Sequence, residues 1–205
     1  MTIQIPGKVI VFDYGEVISM TPNSSDRAVL AELAGGEPSN LWASYWRHRD
    51  ALDQGTLTPH EYWRAIGQDV NRVWADAEIY ELWLADYRSW LTIDPGVLEL
   101  LVDLKHGSTR MALLSNAGRD FGSFYRNGVL GDFFERVFVS GELGVVKPGR
   151  AIFETVVREL DVAAAQVIFV DNRKVNIEGA ESLGIHGHLF TSALELRSFL
   201  QALTQ

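Results

Sequence analysis

Apolar positions along this chain follow two alternating rhythms. Short continuous runs of strand length recur at Val9–Phe12, Met111–Leu114, Val137–Val139 and Val167–Val170, with a weaker one at His188–Phe190. Runs of this kind suit strands buried on both faces, as a parallel sheet requires. Between them the apolar residues recur at helical spacing. "PGVLELLVDLKHG" carries Pro95 near its start and Gly107 as a stop, and "KPGRAIFETVVRELD" opens with Pro148 in a first-turn position. "NIEGAESLG" ends on Gly184, and "SALELRSFLQAL" closes the chain as an amphipathic helix. Strands alternating with helices predict βαβ units and a sheet covered on both faces. The expected fold class is α/β: a Rossmann-like three-layer sandwich around five parallel strands, assembled from residues 1–18 and 93–205.

Residues 19–92 break this rhythm. All six tryptophans lie there, and breaks at "AGGEPSN" and "DQGTLTP" divide the segment into several helices. "TPNSSD" and "TPHE" read as helix starts, with Thr or Ser capping and Pro in the first turn. The pattern predicts a helical cap inserted directly after the first strand. Its tryptophans are expected mostly in the cap's own core, because a small insertion must bury large side chains to be stable.

Composition narrows the function. The chain has 205 residues, 47% hydrophobic and 22% charged, which suits a soluble globular protein with a substantial core. Its net charge of -9 disfavours nonspecific nucleic-acid binding. An anionic substrate would need local positive charge from a few side chains or a bound cation. With no cysteine, disulfides and thiolate metal sites are excluded. The opening "MTIQIPGKVIVF" lacks a long apolar signal region, and no 18-residue apolar run occurs, so a soluble cytoplasmic protein without membrane partners is expected.

The polar residues that end the strands are the candidate chemistry. Asp13 ends the first strand, Ser115 and Asn116 the second, and Asp171 the fourth, while Lys147 lies between the third strand and the next helix. Ligands of open parallel sheets bind beyond the carboxyl ends of the strands, where all of these point. Taken singly, each has an ordinary reading as a turn former, a loop residue or a solvated lysine. Together, two carboxylates without a nearby histidine or thiolate suggest an oxygen-ligand site for Mg²⁺, and a lysine beside them would offset negative charge.

With these residues in place, "VFDYGEV", "LLSN", "VKP" and "VDNRKVN" resemble the four signatures of the haloacid dehalogenase-like hydrolase superfamily, over essentially the whole chain. "LSN", "LGVVKPGRAIF" and "NIEGAESLGI" are most similar to the subgroup of bacterial glucose-1-phosphate phosphatases and the phosphatase domain of soluble epoxide hydrolase. The resemblance implies hydrolysis of a small phosphorylated metabolite, a sugar phosphate by the subgroup's example. It implies that Asp13 is the nucleophile, forming an aspartyl-phosphate. Mg²⁺ would be held by Asp13, the Gly15 carbonyl and Asp171. Ser115 and the backbone N–H of Asn116 would hold the phosphoryl group, and Lys147 would bridge nucleophile and phosphate.

Two positions depart from the pattern. Gly15 stands where most of these phosphatases carry a second aspartate as general acid and base, and Asn172 stands where a second motif-four acid is common. Such acid–base help is worth about 10²–10⁴ in rate. One reading is a phosphatase whose leaving groups need little protonation, with Glu16 reaching in as a substitute or simply facing the turn. A dehalogenase, whose halide leaves without a proton, is a second; the dehalogenase branch characteristically lacks a metal acid such as Asp171. A non-catalytic regulatory module is the third. In the cap, Tyr45, Arg49 and Asp53 share a helical face, so Arg49 either pairs with Asp53 or meets the substrate. Trp46 is a candidate stacking surface for a sugar. The five histidines show no metal-ligand spacing and read as surface or packing residues.

Overall fold

The structure, a computed structural model, describes residues 2–35 and 37–204. Strand β1 (Val9–Phe12) is followed by helices α1 (Ser24–Ala34), α2 (Pro38–Asp53), α3 (Pro59–Asp69) and α4 (Asp76–Ser89). Then come α5 (Pro95–His106), β2 (Arg110–Ser115), α6 (Phe121–Asn127), β3 (Arg136–Val139) and α7 (Ser140–Leu143). The chain continues through α8 (Arg150–Leu160), β4 (Val167–Asp171), α9 (Lys174–Glu181), β5 (His186–Leu189) and α10 (Ala193–Ala202). The five strands form one parallel sheet in the order β3-β2-β1-β4-β5, the Rossmann-like α/β arrangement that the apolar runs predict.

Alternation within β1 feeds both faces of the sheet. Ile10 and Phe12 pack with α5 and α10 side chains such as Leu101 and Leu196. Val9 and Val11 pack with Ile152 and Phe153 of α8 and Ala180 of α9. Helices α1–α4 carry a separate cluster built on Leu30, Leu41, Tyr45, Tyr62, Trp63 and Ile66. Of the tryptophans, Trp63 is fully buried and Trp42, Trp74 and Trp83 pack against that cluster. Trp90 packs instead on the sheet side, and Trp46 stays 55% exposed.

Several boundaries differ from the sequence expectation. The last strand is His186–Leu189 rather than His188–Phe190, because this edge strand is recruited by its backbone ladder to β4 and alternates polar with apolar residues. Pro148 lies outside α8, which is capped by Gly149 and begins at Arg150; the Lys147–Pro148 peptide is cis. In "TPNSSD" neither Thr nor Ser is the cap. Asn23 caps α1 in a reciprocal box with Asp26, leaving Pro22 before the helix. "TPHE" behaves as expected, with Thr58 and Glu61 capping each other and Pro59 in the first turn. The break at "AGGEPSN" separates α1 from α2, although Gly36 within it lies outside the described residues. Gly107 does end α5, but for a reason of space: a Cβ there would sit 2.0 Å from the Ile3 carbonyl oxygen. No helix among the described residues is long and apolar enough to cross a membrane.

Candidate active site

The register of β1 sets Phe12 level with Leu113 of β2 and Val170 of β4, so Asp13, Ser115 and Asp171 emerge side by side at the strands' carboxyl ends. Asp13 is held there by its backbone N–H, which donates to the Val170 carbonyl at 2.8 Å. The fourth residue arrives from a loop. Lys147, 4% exposed, extends its ammonium between the carboxylates, 2.7 Å from Asp13 Oδ1 and 2.8 Å from Asp171 Oδ2. Its third hydrogen bond goes to the Leu114 carbonyl at 3.1 Å. One cation between two buried anions leaves a negative excess at the floor of the site. Burial is the larger effect on Asp13 and pushes its pKa up to about 7 against the pull of Lys147, with Asp171 adding repulsion. Burial also works against the charge of Lys147, but its two carboxylates outweigh it and hold its pKa above the ordinary value.

Asp171 is completely buried and saturated with donors. Its Oδ1 accepts from the Arg173 N–H at 2.7 Å, and Asn176 Nδ2 spans both carboxylate oxygens at 3.1 and 2.9 Å. Asn176 escaped the sequence reading. Its signal is an amide five residues beyond a strand-end aspartate, which places it in the first turn of α9, facing back. Asn116 has a structural job in its side chain. Its Oδ1 accepts from the Lys147 N–H at 2.9 Å, and its Nδ2 donates to the Lys147 carbonyl at 3.0 Å, so it fixes the loop that delivers the lysine. The hydroxyl of Ser115 lies 3.3 Å from the Tyr125 hydroxyl, a buried neighbour that the sequence did not single out.

Of the two departures, Asn172 proves to be connected to Glu16. Glu16 sits in the left-handed region at φ 59, and both its oxygens are engaged: Oε1 by the Thr21 hydroxyl at 2.9 Å, Oε2 by Asn172 Nδ2 at 2.8 Å. Its carboxylate therefore ties the turn after β1 to the turn after β4. An aspartate at position 172 would set like charges against each other there. Gly15 is under no such constraint. Its φ is not positive, and an added Cβ would meet only Trp90 Cζ3 at 3.9 Å, ordinary contact.

The donor set suits a hard cation. Asp13 offers a carboxylate oxygen and Gly15 a carbonyl, Asp171 would exchange one of its donors for the ion, and the Asn172 and Asn176 Oδ1 atoms are buried without a protein partner. Among the described residues no group of three or more His, Asp or Glu could hold a metal, so the neutral oxygens would have to complete any shell. The histidines lie apart from the cleft: His48 meets Asp69, His60 meets Asp76, and His186 and His188 stack on Phe199.

Above these residues a cleft of about 570 Å³ opens between the strand ends and α2. Both Arg49 and Trp46 line it. Arg49 is engaged within the wall, its Nε donating to Asp53 Oδ1 at 2.9 Å and its Nη1 to the Tyr45 hydroxyl at 2.6 Å, with Asp86 Oδ2 at 3.7 Å. Tyr45 in turn donates to Asp86 Oδ1 at 2.8 Å. Burial pushes Asp53 from 3.8 up to about 6, with Arg49 opposing. The folded value exceeds the unfolded one, so the protonated carboxyl is favoured by folding. That contribution is fully present below about pH 4 and is lost as pH rises through about 6. Between pH 5 and 7.5 the wild type should therefore lose about 1 kcal/mol more stability than an Asp53→Asn variant in urea unfolding.

A haloacid dehalogenase-like hydrolase sequence family matches residues 8–184, a span that includes all four strand-end residues. The chain belongs to the haloacid dehalogenase-like hydrolases. A sesquiterpene phosphatase from Aspergillus oryzae is 24% identical over 91% of both chains. A D-ribitol-5-phosphate phosphatase from Bacteroides thetaiotaomicron is 27% identical over 86% of this chain and 88% of its own. A drimenol cyclase from Aspergillus calidoustus, 27% identical, matches 89% of this chain, which spans only 34% of that protein. Among solved structures, an enzyme of this family from Bacteroides thetaiotaomicron, in complex with magnesium and inorganic phosphate, superposes with a TM-score of 0.72. That pair is 21% identical over 90% of this chain and 94% of the other.

Proposed function

We propose that this haloacid dehalogenase-like hydrolase is a Mg²⁺-dependent phosphatase of small phosphomonoesters. The observation that carries the reading is the buried Lys147 ammonium joined to both Asp13 and Asp171, with Ser115 on the neighbouring strand. Asp13 Oδ1 takes the hydrogen bonds from Lys147 and the Tyr14 N–H, which leaves Oδ2 to attack phosphorus. The new O–P bond forms as the ester P–O bond breaks, giving an aspartyl-phosphate and a leaving alkoxide that takes its proton from water in the cleft. Water then attacks the acyl phosphate, releasing phosphate and restoring Asp13. Lys147 keeps Asp13 oriented, while the hydroxyl of Ser115 and the N–H of Asn116 hold phosphoryl oxygens. Asp13, Asp171 and the Gly15 carbonyl would hold Mg²⁺, with the free amide oxygen of Asn172 close to that set. When bound, the cation offsets phosphate charge in an otherwise acidic protein.

Helices α1–α4 serve as the cap in this reading, with Trp46 and Arg49 in its substrate-facing wall. The sugar-phosphate expectation has support from the name of the ribitol-phosphate phosphatase relative. Asp171 favours phosphoryl transfer over carbon–halogen cleavage, which needs no metal acid. The test is phosphate release from a panel of sugar and acyl phosphates with Mg²⁺ or with EDTA. Turnover should require Mg²⁺ and fall to background in EDTA, with acyl and anomeric phosphates ahead of simple alkyl esters. Hydrolysis of a chloroacid that survives EDTA would replace this reading.

A further inference from the structure

Away from its covalent connections, the helical segment meets the sheet domain at several points: Trp83 Nε1 donates to Asp120 Oδ2 at 2.7 Å, Tyr87 packs on Phe121, and the α2–α3 turn enters a three-layered stack of backbone. The α2–α3 turn lies on α7, and α7 lies on the turn at Ser115–Arg119. Glycines permit both approaches. A Cβ on Gly55, whose φ is +76, would lie 2.2 Å from the Gly141 carbonyl oxygen, and one on Gly141 would lie 2.8 Å from the Ala117 carbonyl oxygen. Gln54 Nε2 adds a bond to the Gly144 carbonyl at 3.2 Å.

In the middle of this stack is the hydroxyl of Ser140, completely buried. Its Oγ accepts from the Ala117 N–H at 3.0 Å, next to Ser115 and Asn116. Its one hydrogen faces two acceptors on different parts of the molecule: the Asp53 carbonyl at 2.5 Å and the Ala117 carbonyl at 3.3 Å. Asp53 also ties this contact to the cleft wall, because its side chain holds Arg49 there. We propose that Ser140 is a positioning residue whose hydroxyl couples the seating of the α2–α3 turn to the shape of the Ser115–Ala117 turn. The proposal rests on the phosphatase reading above.

The physical reason is that a buried hydroxyl has no water to turn to. With the α2–α3 turn seated, the hydrogen points to Asp53 and only the lone pairs of Oγ serve Ala117. With that turn displaced, the hydrogen swings to the Ala117 carbonyl, which already accepts the Gly141 N–H at 3.1 Å. The turn that carries the phosphoryl-binding groups then adjusts. Seating of the cap wall thus reaches the reacting phosphate even for a substrate whose leaving group never touches that wall.

The experiment compares acetyl phosphate, the smallest substrate of the panel, with larger sugar phosphates in Gly55→Ala, Gln54→Ala and Ser140→Ala. Coupling predicts that Gly55→Ala lowers kcat on acetyl phosphate about tenfold, the worth of one buried hydrogen bond, and raises exchange of the Ala117 amide similarly. Gln54→Ala should move both readings the same way by less, and serves if Gly55→Ala does not fold. In a Ser140→Ala background, Gly55→Ala should change acetyl phosphate turnover no further. A rise in KM for the larger esters alone, with acetyl phosphate turnover and Ala117 exchange as in the wild type, would overturn the coupling. If the wild type releases phosphate from no ester, the phosphatase reading fails, and Ala117 exchange in the two turn variants still decides the coupling.

Discussion

Replacing Asp13 with asparagine drops phosphate release by about 10⁴-fold or more, to the uncatalysed background, while the fold survives. The chemical loss is complete because the two carboxylates nearest Asp13 in the strand-end turns are already engaged. Asp171 is buried with both oxygens committed to Lys147, Asn176 and Arg173, and Glu16 is committed to Thr21 and Asn172. The structural cost is small. An asparagine oxygen still accepts from Lys147 and the Tyr14 N–H, and a neutral amide tolerates burial better than a carboxylate whose pKa is driven up to about 7. Thermal unfolding within a few degrees of wild type, alongside lost turnover, would assign the defect to chemistry. Retained turnover would remove Asp13 as nucleophile.

The second large effect is a gain. Gly15→Asp supplies a carboxyl two residues after the nucleophile, and the backbone there accepts a side chain without strain or collision. With alkyl esters, whose alkoxides leave poorly without a proton, turnover should rise by about 10² or more, within the range that a positioned acid confers. With acetyl phosphate, whose acetate leaves unprotonated, it should change little. The ratio of the two rates is the measurement. An unchanged ratio would mean that the leaving group already obtains its proton from another group in the cleft. A raised ratio would make this glycine, which nothing in the local geometry demands, the residue that sets the range of leaving groups open to a lone Asp13.

The strand ends were legible because a continuous apolar run that stops at a polar residue marks both the strand and its exit point. Asp13, Ser115 and Asp171 therefore fall together in the structure as the runs suggested. Lys147 was harder, since it reaches the site from a loop. Its placement depends on the side chain of Asn116, which the sequence offered only as a backbone donor. Spacing was silent about Ser140 and Asp53, whose contact joins residues 87 apart and depends on two glycines meeting face to face. The tie between Glu16 and Asn172 was hidden in the same way. Asn172 looked like a departure from a motif and Glu16 like a substitute acid or a turn residue, and only three dimensions show that the two bond to each other. The weak fifth strand was misplaced because Phe190 drew the apolar run outward, whereas the ladder to β4 begins at His186.

The central position of β1 has a consequence for how the chain folds. Val9 pairs with Arg110 on one side and Val167 on the other, so neither partner of the strand leading to Asp13 exists until more than half of the chain has been synthesised. Contacts of such long sequence separation close slowly. Until they do, "VIVF" stands as an unpaired, uncharged strand beside an insertion able to gather its own aromatic cluster. During synthesis this short segment stays open to mispairing with its neighbours for longer than any later strand, and a chaperone would protect it for that interval.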